Sequence, residues 1–488
     1  MSPTTSRYGS IAELQKAYQD GNVSVKEVTQ QYLATIESLN GDLNALTAVN
    51  KNALDEAERL DGLPREQRGP LYGVPMVIKD QIETAGIPTA YGSAACKDYI
   101  PPKDATVVTK LKAAGVVVLG KSTMCDWAAG WVSASSLSGT TKHPIDHARD
   151  PGGSSSGNGT AVASDMALAA IGGDTGGSIR LPASFCGLVG VRVTPGRISR
   201  DGMSSLIQTL DTPGPMVKTV EDAARLLDVL VGFDENDDFT SINAMTGRST
   251  SATQFVDAIK QPLLEGKRLG ILRQAFGDHK GVNSVLDKAL LDLKDAGVEL
   301  IDVEIPNLED YLTNTSGYIL RSKSDVNHFL ASREGLAHLK LEDLHSAGTY
   351  HKSLDLINMV VKGPTDPSMS PHYARVLAKV GEFQRTVGSI FAKYNLDAII
   401  YPTSKQLAPK TANVLAMDSH LNTDSPNTII GSQLLFTALS VPIGKAKDDL
   451  YPDDPELPVG LEVLGVPLSE ERILNIAAAI EALQHKRG

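Results

Sequence analysis

The chain reads as an α/β layered fold on three observations: apolar runs of strand length recur along it, helix-prone stretches separate them, and two helix-start signatures open it. Ser10 with Glu13, and Ser24 with Glu27, have capping-box spacing, in which a hydroxyl and a carboxylate three residues on satisfy the first free N–H groups of a helix. They open two N-terminal helices, the second running through Val28, Leu33 and Ile36 to about Leu39, an outer layer within residues 1–65. Val74–Ile78 and Val116–Leu119 read as buried strands with a helix at roughly Ala105–Ala114 between them, inside a core expected over 66–230. Small apolar residues over Ala161–Ile171 suit close packing. Arg268–Leu272 and Val298–Val303 read as strands around a helix Val285–Ala296, and Ala398–Tyr401 as another strand before Pro402-Thr403. The segment from about Leu308 to Ala392 is helix-prone, broken at Gly363-Pro364-Thr365-Asp366-Pro367, and 305–395 is expected to wall a pocket or form a lid. Ser469–His485 closes the chain as a helix with Glu470 and Glu471 in its first turn, where the helix dipole favours negative charge.

Composition narrows the class. The 488 residues are 41% hydrophobic and 21% charged, enough to bury one or two substantial cores, and a net charge of −12 argues against nucleic acid as a routine ligand. Three cysteines, Cys96, Cys125 and Cys186, give no disulfide framework and suit a reducing compartment. Residues 1–10 lack the charged-then-apolar pattern of a signal peptide, and the longest apolar stretch, about Ile429–Ile443, contains Ser432, Gln433, Thr437 and Pro442, which disqualifies it as a membrane span. Of the glycosylation sequons at Asn158 and Asn314, the first falls inside the glycine- and serine-rich region, so a cytoplasmic location is expected.

The chemistry concentrates in two such stretches about twenty residues apart, Pro151-Gly152-Gly153-Ser154-Ser155-Ser156-Gly157 and Gly172-Gly173-Asp174-Thr175-Gly176-Gly177-Ser178-Ile179-Arg180. Glycine lets backbone approach a ligand and adopt positive φ, so these runs aim bare N–H groups and hydroxyls at one small volume. Upstream, the apolar run Val74–Ile78 ends in Lys79-Asp80, a strand that delivers an amine to the end of a sheet. Burial disfavours an ammonium, so such a lysine is able to act as a base near neutral pH without any histidine.

With Gly73-Val74-Pro75 through Lys79-Asp80, then Gly-Gly-Ser-Ser-Ser-Gly, then Gly-Gly-Ser-Ile-Arg, the chain resembles the amidase signature hydrolases over nearly its whole length. The resemblance implies one domain with a mixed central sheet covered by helices, Leu457–Gly465 being similar to the family's closing strand. It implies a lysine, a relay serine beside a cis peptide and a nucleophilic serine 24 positions later, a spacing met by Ser154 and Ser178 with Lys79 as base. By the same resemblance the backbone N–H groups of Thr175, Gly176, Gly177 and Ser178 form an oxyanion hole, where loss of one donor costs about 10²–10³ in rate. Asp174, Arg180 and Ser155 support the loops, and Met124, Cys125 and Trp127 help to line the pocket. The implied substrate is a small-molecule linear amide, with esters or carbamates as further candidates. No metal and no organic cofactor is implied, no nucleic acid or membrane partner is expected, and a homodimer is compatible with the sequence.

Other readings are weaker on stated grounds. Gly153-Ser154-Ser155-Ser156-Gly157 fits the α/β-hydrolase elbow with Ser155 as nucleophile, but a strand should precede it and Lys142–Pro151 is polar and proline-broken. Gly172–Ser178 has the gap of a phosphate loop but lacks its lysine. His143 and His147 have helical ligand spacing with Pro144 between them, and His328, His338, His345, His351 and His372 fit no common metal spacing. A glutamine-hydrolysing amidotransferase subunit supplying ammonia to a partner would carry a glutamine-binding arginine and an aspartate before Thr-Thr-Pro. The corresponding places read Asn358-Met359-Val360-Val361-Lys362 and Asp424-Ser425-Pro426-Asn427-Thr428, neither a match. A non-catalytic binding protein of the same fold is disfavoured by the joint presence of Lys79, Ser154 and Ser178.

Overall fold

In the computed structural model, which describes residues 8–246, 251–419 and 426–485, every strand of the described residues joins one mixed sheet. In chain order the strands are β1 Leu46–Val49, β2 Pro75–Lys79, β3 Val117–Ser122, β4 Ala169–Asp174, β5 Val189–Arg192, β6 Thr212–Val217, β7 Arg268–Leu272, β8 Glu299–Val303, β9 Ala398–Pro402, β10 Ala438–Ala446 and β11 Leu457–Leu464. Across the sheet they run β1-β3-β2-β4-β6-β5-β10-β11-β9-β7-β8. Two parallel groups stand out, β3-β2-β4 and β8-β7-β9, joined through antiparallel β6, β5, β10 and β11.

The expected elements map closely onto this frame. The helices Ile11–Gln19 and Val25–Leu43 begin where the caps place them. Ser24 and Glu27 close a full capping box, whereas Ser10 Oγ accepts from Glu13 N–H while the Glu13 carboxylate turns to Gly9 N–H at 2.6 Å. The helix Thr106–Ala113 separates β2 from β3, and Lys280–Asp295 separates β7 from β8. The helix-prone segment folds as Leu308–Asn314, Tyr318–Ala331, Leu341–Ser346, Asp355–Val360 and Pro371–Tyr394. Ala161–Ile171 straddles the end of a helix, Ser156–Ala163, and the start of β4.

Three strands lack the clear apolar run that marks β2, β3, β7 and β9. β6 reads Thr-Pro-Gly-Pro-Met-Val, β5 is only Val-Gly-Val-Arg, and β10 lies inside the stretch Ile429–Ile443, whose first part is the helix Ile429–Gln433. They hold because each is buried between neighbours, so tertiary packing overrides local propensity. The helix Val220–Leu230 lays Val220, Leu226, Leu227 and Leu230 against the sheet beside β6, and each such large side chain contributes about 1.5–3 kcal/mol of burial. Among the described residues no helix is long and apolar enough to cross a membrane.

Candidate active site

The carboxyl ends of parallel β2, β3 and β4 lie at one edge, the place where open α/β sheets hold their ligands. Lys79 ends β2, in register with Ser122 at the end of β3, and Asp174 ends β4. The chain leaves β4 directly into Thr175-Gly176-Gly177-Ser178, while Gly153-Ser154-Ser155 leads into the helix Ser156–Ala163. Ser155 N–H donates to Ser178 O at 3.1 Å, and Ser155 Oγ–H to Gly173 O at 3.3 Å, so the two loops are stitched together. The Gly153–Ser154 peptide is cis.

Lys79 is fully buried, with Nζ 2.8 Å from Ser154 Oγ and 3.0 Å from Gly173 O. Its sequence neighbour Asp80 does not neutralise it, because that carboxylate accepts from Ala90 N–H and Gly92 N–H, each at 3.0 Å. Burial pushes the Lys79 amine down to about 7, against weaker upward pulls from Cys125, Asp174 and Asp211. Ser154 is fully buried, whereas Ser178 keeps 3% exposure, and among the described residues no hydrogen bond joins their hydroxyls or engages Ser178 Oγ.

Asp174 fixes the second loop. Its Oδ1 accepts from Gly177 N–H (3.0 Å) and its Oδ2 from Ile179 N–H (3.1 Å), while Arg180 and Arg192 reach the same carboxylate at 3.2 and 2.9 Å. Burial alone would raise this carboxyl, yet the two guanidinium groups hold it well below the usual carboxylate range. Arg180 continues to Glu462 on β11, to Thr428 O (2.9 Å) and to Ser432 Oγ (2.8 Å). Glu462 is pushed up to about 7 by burial in spite of Arg180.

The four N–H groups of the second loop differ in their partners. Gly177 N–H donates to Asp174, whereas those of Thr175, Gly176 and Ser178 have no protein acceptor among the described residues. Gly177 is needed for a different reason: its φ is +116°, and a Cβ there would overlap Thr428 Oγ1. Gly176 O accepts from Trp131 Nε1–H at 3.1 Å and from Thr428 Oγ1–H at 2.9 Å, and a Cβ on Gly176 would meet the Tyr318 hydroxyl. The Trp131 and Tyr318 rings meet edge to face, 6.0 Å between centroids. Thr175 Oγ1–H donates to Asp211 at 2.6 Å, and burial pushes that carboxyl up to about 6.

Met124, Cys125 and Trp127 are all buried, and Trp127 stacks on Tyr91 at 5.7 Å, so the tryptophan that touches the glycine loop is Trp131. Cys125 Sγ–H donates to Gly130 O at 3.5 Å. No strand precedes Ser155, and His143 donates or accepts only with backbone: its ring meets Phe185 O and the N–H groups of Ile145 and Asp146, while His147 faces Asp42 at the surface. Asn358 lies in a polar knot with Tyr350 and His345; Asn427 and Thr428 sit beside the site, and Asp424 and Ser425 lie outside the described residues. Arg192, Trp131, Tyr318, Asp211 and Glu462 escaped the sequence analysis because none of them carries a motif, and Tyr318 and Glu462 also lie more than a hundred residues from the glycine loops.

Comparison with known proteins agrees with this geometry. A family model described as Amidase matches residues 27–474. A glutamyl-tRNA(Gln) amidotransferase subunit from Bdellovibrio bacteriovorus is 32% identical over 99% of this chain and 98% of its own. The solved structure of native peptide amidase from Stenotrophomonas maltophilia superposes with a TM-score of 0.86 at 29% identity, covering 99% of this chain and 98% of that one. The corresponding glutamyl-tRNA(Gln) amidotransferase subunit from Thermotoga maritima gives a TM-score of 0.72 at 28% identity over 94% and 91%. The chain therefore belongs to the Amidase family, the amidase signature hydrolases, and is an amide-hydrolysing enzyme.

Proposed function

We propose that the enzyme cleaves the C–N bond of a linear carboxylic amide through an acyl-enzyme on Ser178, with Ser154 as relay and Lys79 as base. The observation that carries this reading is the buried Lys79 amine, 2.8 Å from Ser154 Oγ and lowered to about 7 by burial. In its neutral form Lys79 has a lone pair for the Ser154 proton while an N–H donates to Gly173 O. Ser178 Oγ attacks the amide carbon as its proton passes to Ser154 and the Ser154 proton to Lys79. The oxygen that gains charge is met by the N–H groups of Thr175, Gly176 and Ser178. Lys79 then returns the proton through Ser154 to the leaving nitrogen, the amine departs, and water releases the acid by the same relay in reverse. Trp131 and Tyr318 stand over the glycine loop as walls for the acyl group, with Cys125 behind Lys79. Nothing in this set restricts the carbonyl to amides, so activated esters and carbamates are secondary substrates.

Two tests bear on it. Amine or ammonia release is measured over aliphatic, aryl, peptide and carbamate substrates plus glutamine, with Ser178→Ala beside the parent; turnover of one class that vanishes in the variant supports the reading, and turnover that survives refutes Ser178 as nucleophile. A second reading, a glutamine-hydrolysing subunit with a partner protein, is favoured by the name of the Bdellovibrio bacteriovorus relative, which the chain matches over almost its full length. Activity confined to glutamine and dependent on a co-purifying chain would replace the free-standing amidase by that subunit.

A further inference from the structure

A cavity of about 850 Å³ opens between residues 94–103 and the turn that follows the helix Tyr318–Ala331, and none of Lys79, Ser154, Ser178 or residues 174–180 lines it. Ala94, Ala95, Ile100, Pro102 and Leu336 give it an apolar wall. Lys97, Asp98, Lys103, Glu334 and His338 line it too, and so does the ion pair of Glu83 and Arg333, of which Glu83 is only 2% exposed. Glu83 Oε1 accepts three hydrogen bonds, from Tyr91 OH at 3.0 Å, Tyr99 OH at 3.2 Å and Arg333 Nε at 2.8 Å. An arginine–carboxylate pair commonly closes as a two-legged fork. Here one leg is made, and Arg333 Nη1 turns to Ser332 Oγ at 2.7 Å. Among the described residues neither Glu83 Oε2 nor Arg333 Nη2 has a protein partner, and Glu83 Oε2 is not sealed from solvent, so it opens on the cavity. The bonded leg keeps this acceptor and this donor close together.

We propose that the cavity is a second binding site, for a primary carboxamide, whose carbonyl oxygen accepts from Arg333 Nη2 while its N–H donates to Glu83 Oε2. A carboxamide is flat, carries a donor and an acceptor on adjacent atoms, and is neutral, as is the Glu83–Arg333 pair taken together. At this pair a carboxylate offers acceptors only and faces Glu83, and an ammonium offers donors only and faces Arg333, whatever Lys97, Lys103, Asp98 and Glu334 add elsewhere in the lining. The apolar wall accommodates the group that bears the amide. This site goes beyond the catalytic reading and does not depend on it.

The test is ¹⁹F NMR of 4-fluorobenzamide with the full chain carrying Ser178→Ala, any residual hydrolysis being separately visible as 4-fluorobenzoate. Line broadening that unlabelled benzamide competes away is expected, with 4-fluorobenzoate bound at least tenfold more weakly. Ala95→Trp, a change at an exposed position that fills the cavity, is expected to weaken amide binding at least tenfold, as is the charge-balanced pair Glu83→Gln with Arg333→Met. Should the pair fail to fold, Ala95→Trp decides alone. Absence of binding, equal binding of the benzoate, or binding that survives Ala95→Trp overturns the proposal, the last placing the amide at the catalytic loops.

Discussion

Replacing Lys79 by Met tests the base and its burial together, because the apolar stem stays and the amine goes. Folding moves the Lys79 amine from 10.5 to about 7, with burial as the largest cause. Between those values the unfolded chain holds a proton that the folded chain has lost, so stability rises with pH by about 1.4 kcal/mol per unit in that window. The burden of keeping lysine is then on the order of 4 kcal/mol at pH 7 and falls to roughly 2 kcal/mol at pH 9, both absent from Lys79→Met. Ser154 Oγ and Gly173 O lose a partner in the variant, a constant penalty of about 1–3 kcal/mol that does not move with pH. Lys121, lowered to about 8 by burial, titrates in the same window, so the readout is the difference between the two proteins. Urea unfolding at pH 7 and pH 9 is expected to show that difference shifting by roughly 2 kcal/mol in favour of the variant at the lower pH. In the parent, kcat/KM on an amide rises from acid to a plateau with a midpoint near 7 as the amine loses its proton; the variant loses amide turnover. A stability difference independent of pH, or a parent rate flat down to pH 5, refutes a neutral Lys79 as base.

Three further outcomes are expected. Ser178→Ala lowers kcat by about 10⁴–10⁶ with an unchanged unfolding midpoint, read by product release and by loss of labelling with a fluorophosphonate. Arg180→Met leaves the buried Glu462 carboxylate without its cation and Asp174 with Arg192 alone, and destabilises by about 3–5 kcal/mol in urea unfolding, whereas surface substitutions such as Lys16→Ala change little. Trp131→Phe keeps the wall but removes the hydrogen bond to Gly176 O, and kcat falls about tenfold with the fold intact.

Much of this arrangement was legible in the residues. The apolar run before Lys79 and the two glycine loops announced which groups meet, because a strand end and two tight turns are local events; Lys79 and Ser154 do meet, and Ser178 is stitched to the adjacent Ser155. The first and second helices started at their serines for the same local reason. What escaped depends on contacts that only the assembled sheet makes. β6, with two prolines, exists because β4 and β5 flank it, and Arg192, Glu462 and Thr428 reach the glycine loop only after the sheet has assembled. The diversion of Gly177 N–H to Asp174 was equally invisible, since spacing tells which amides are near an oxygen and not which carboxylate claims them.

The link from Arg180 to Glu462 has a temporal consequence for synthesis. The glycine loops are translated before β11, whose Glu462 lies 282 residues beyond Arg180. Until then Arg180 is a cation without its distal counter-charge, and the loop it braces lacks the anchor at Thr428 and Ser432 as well. The brace on the Asp174 loop is therefore complete only once β11 has been made and has joined the sheet.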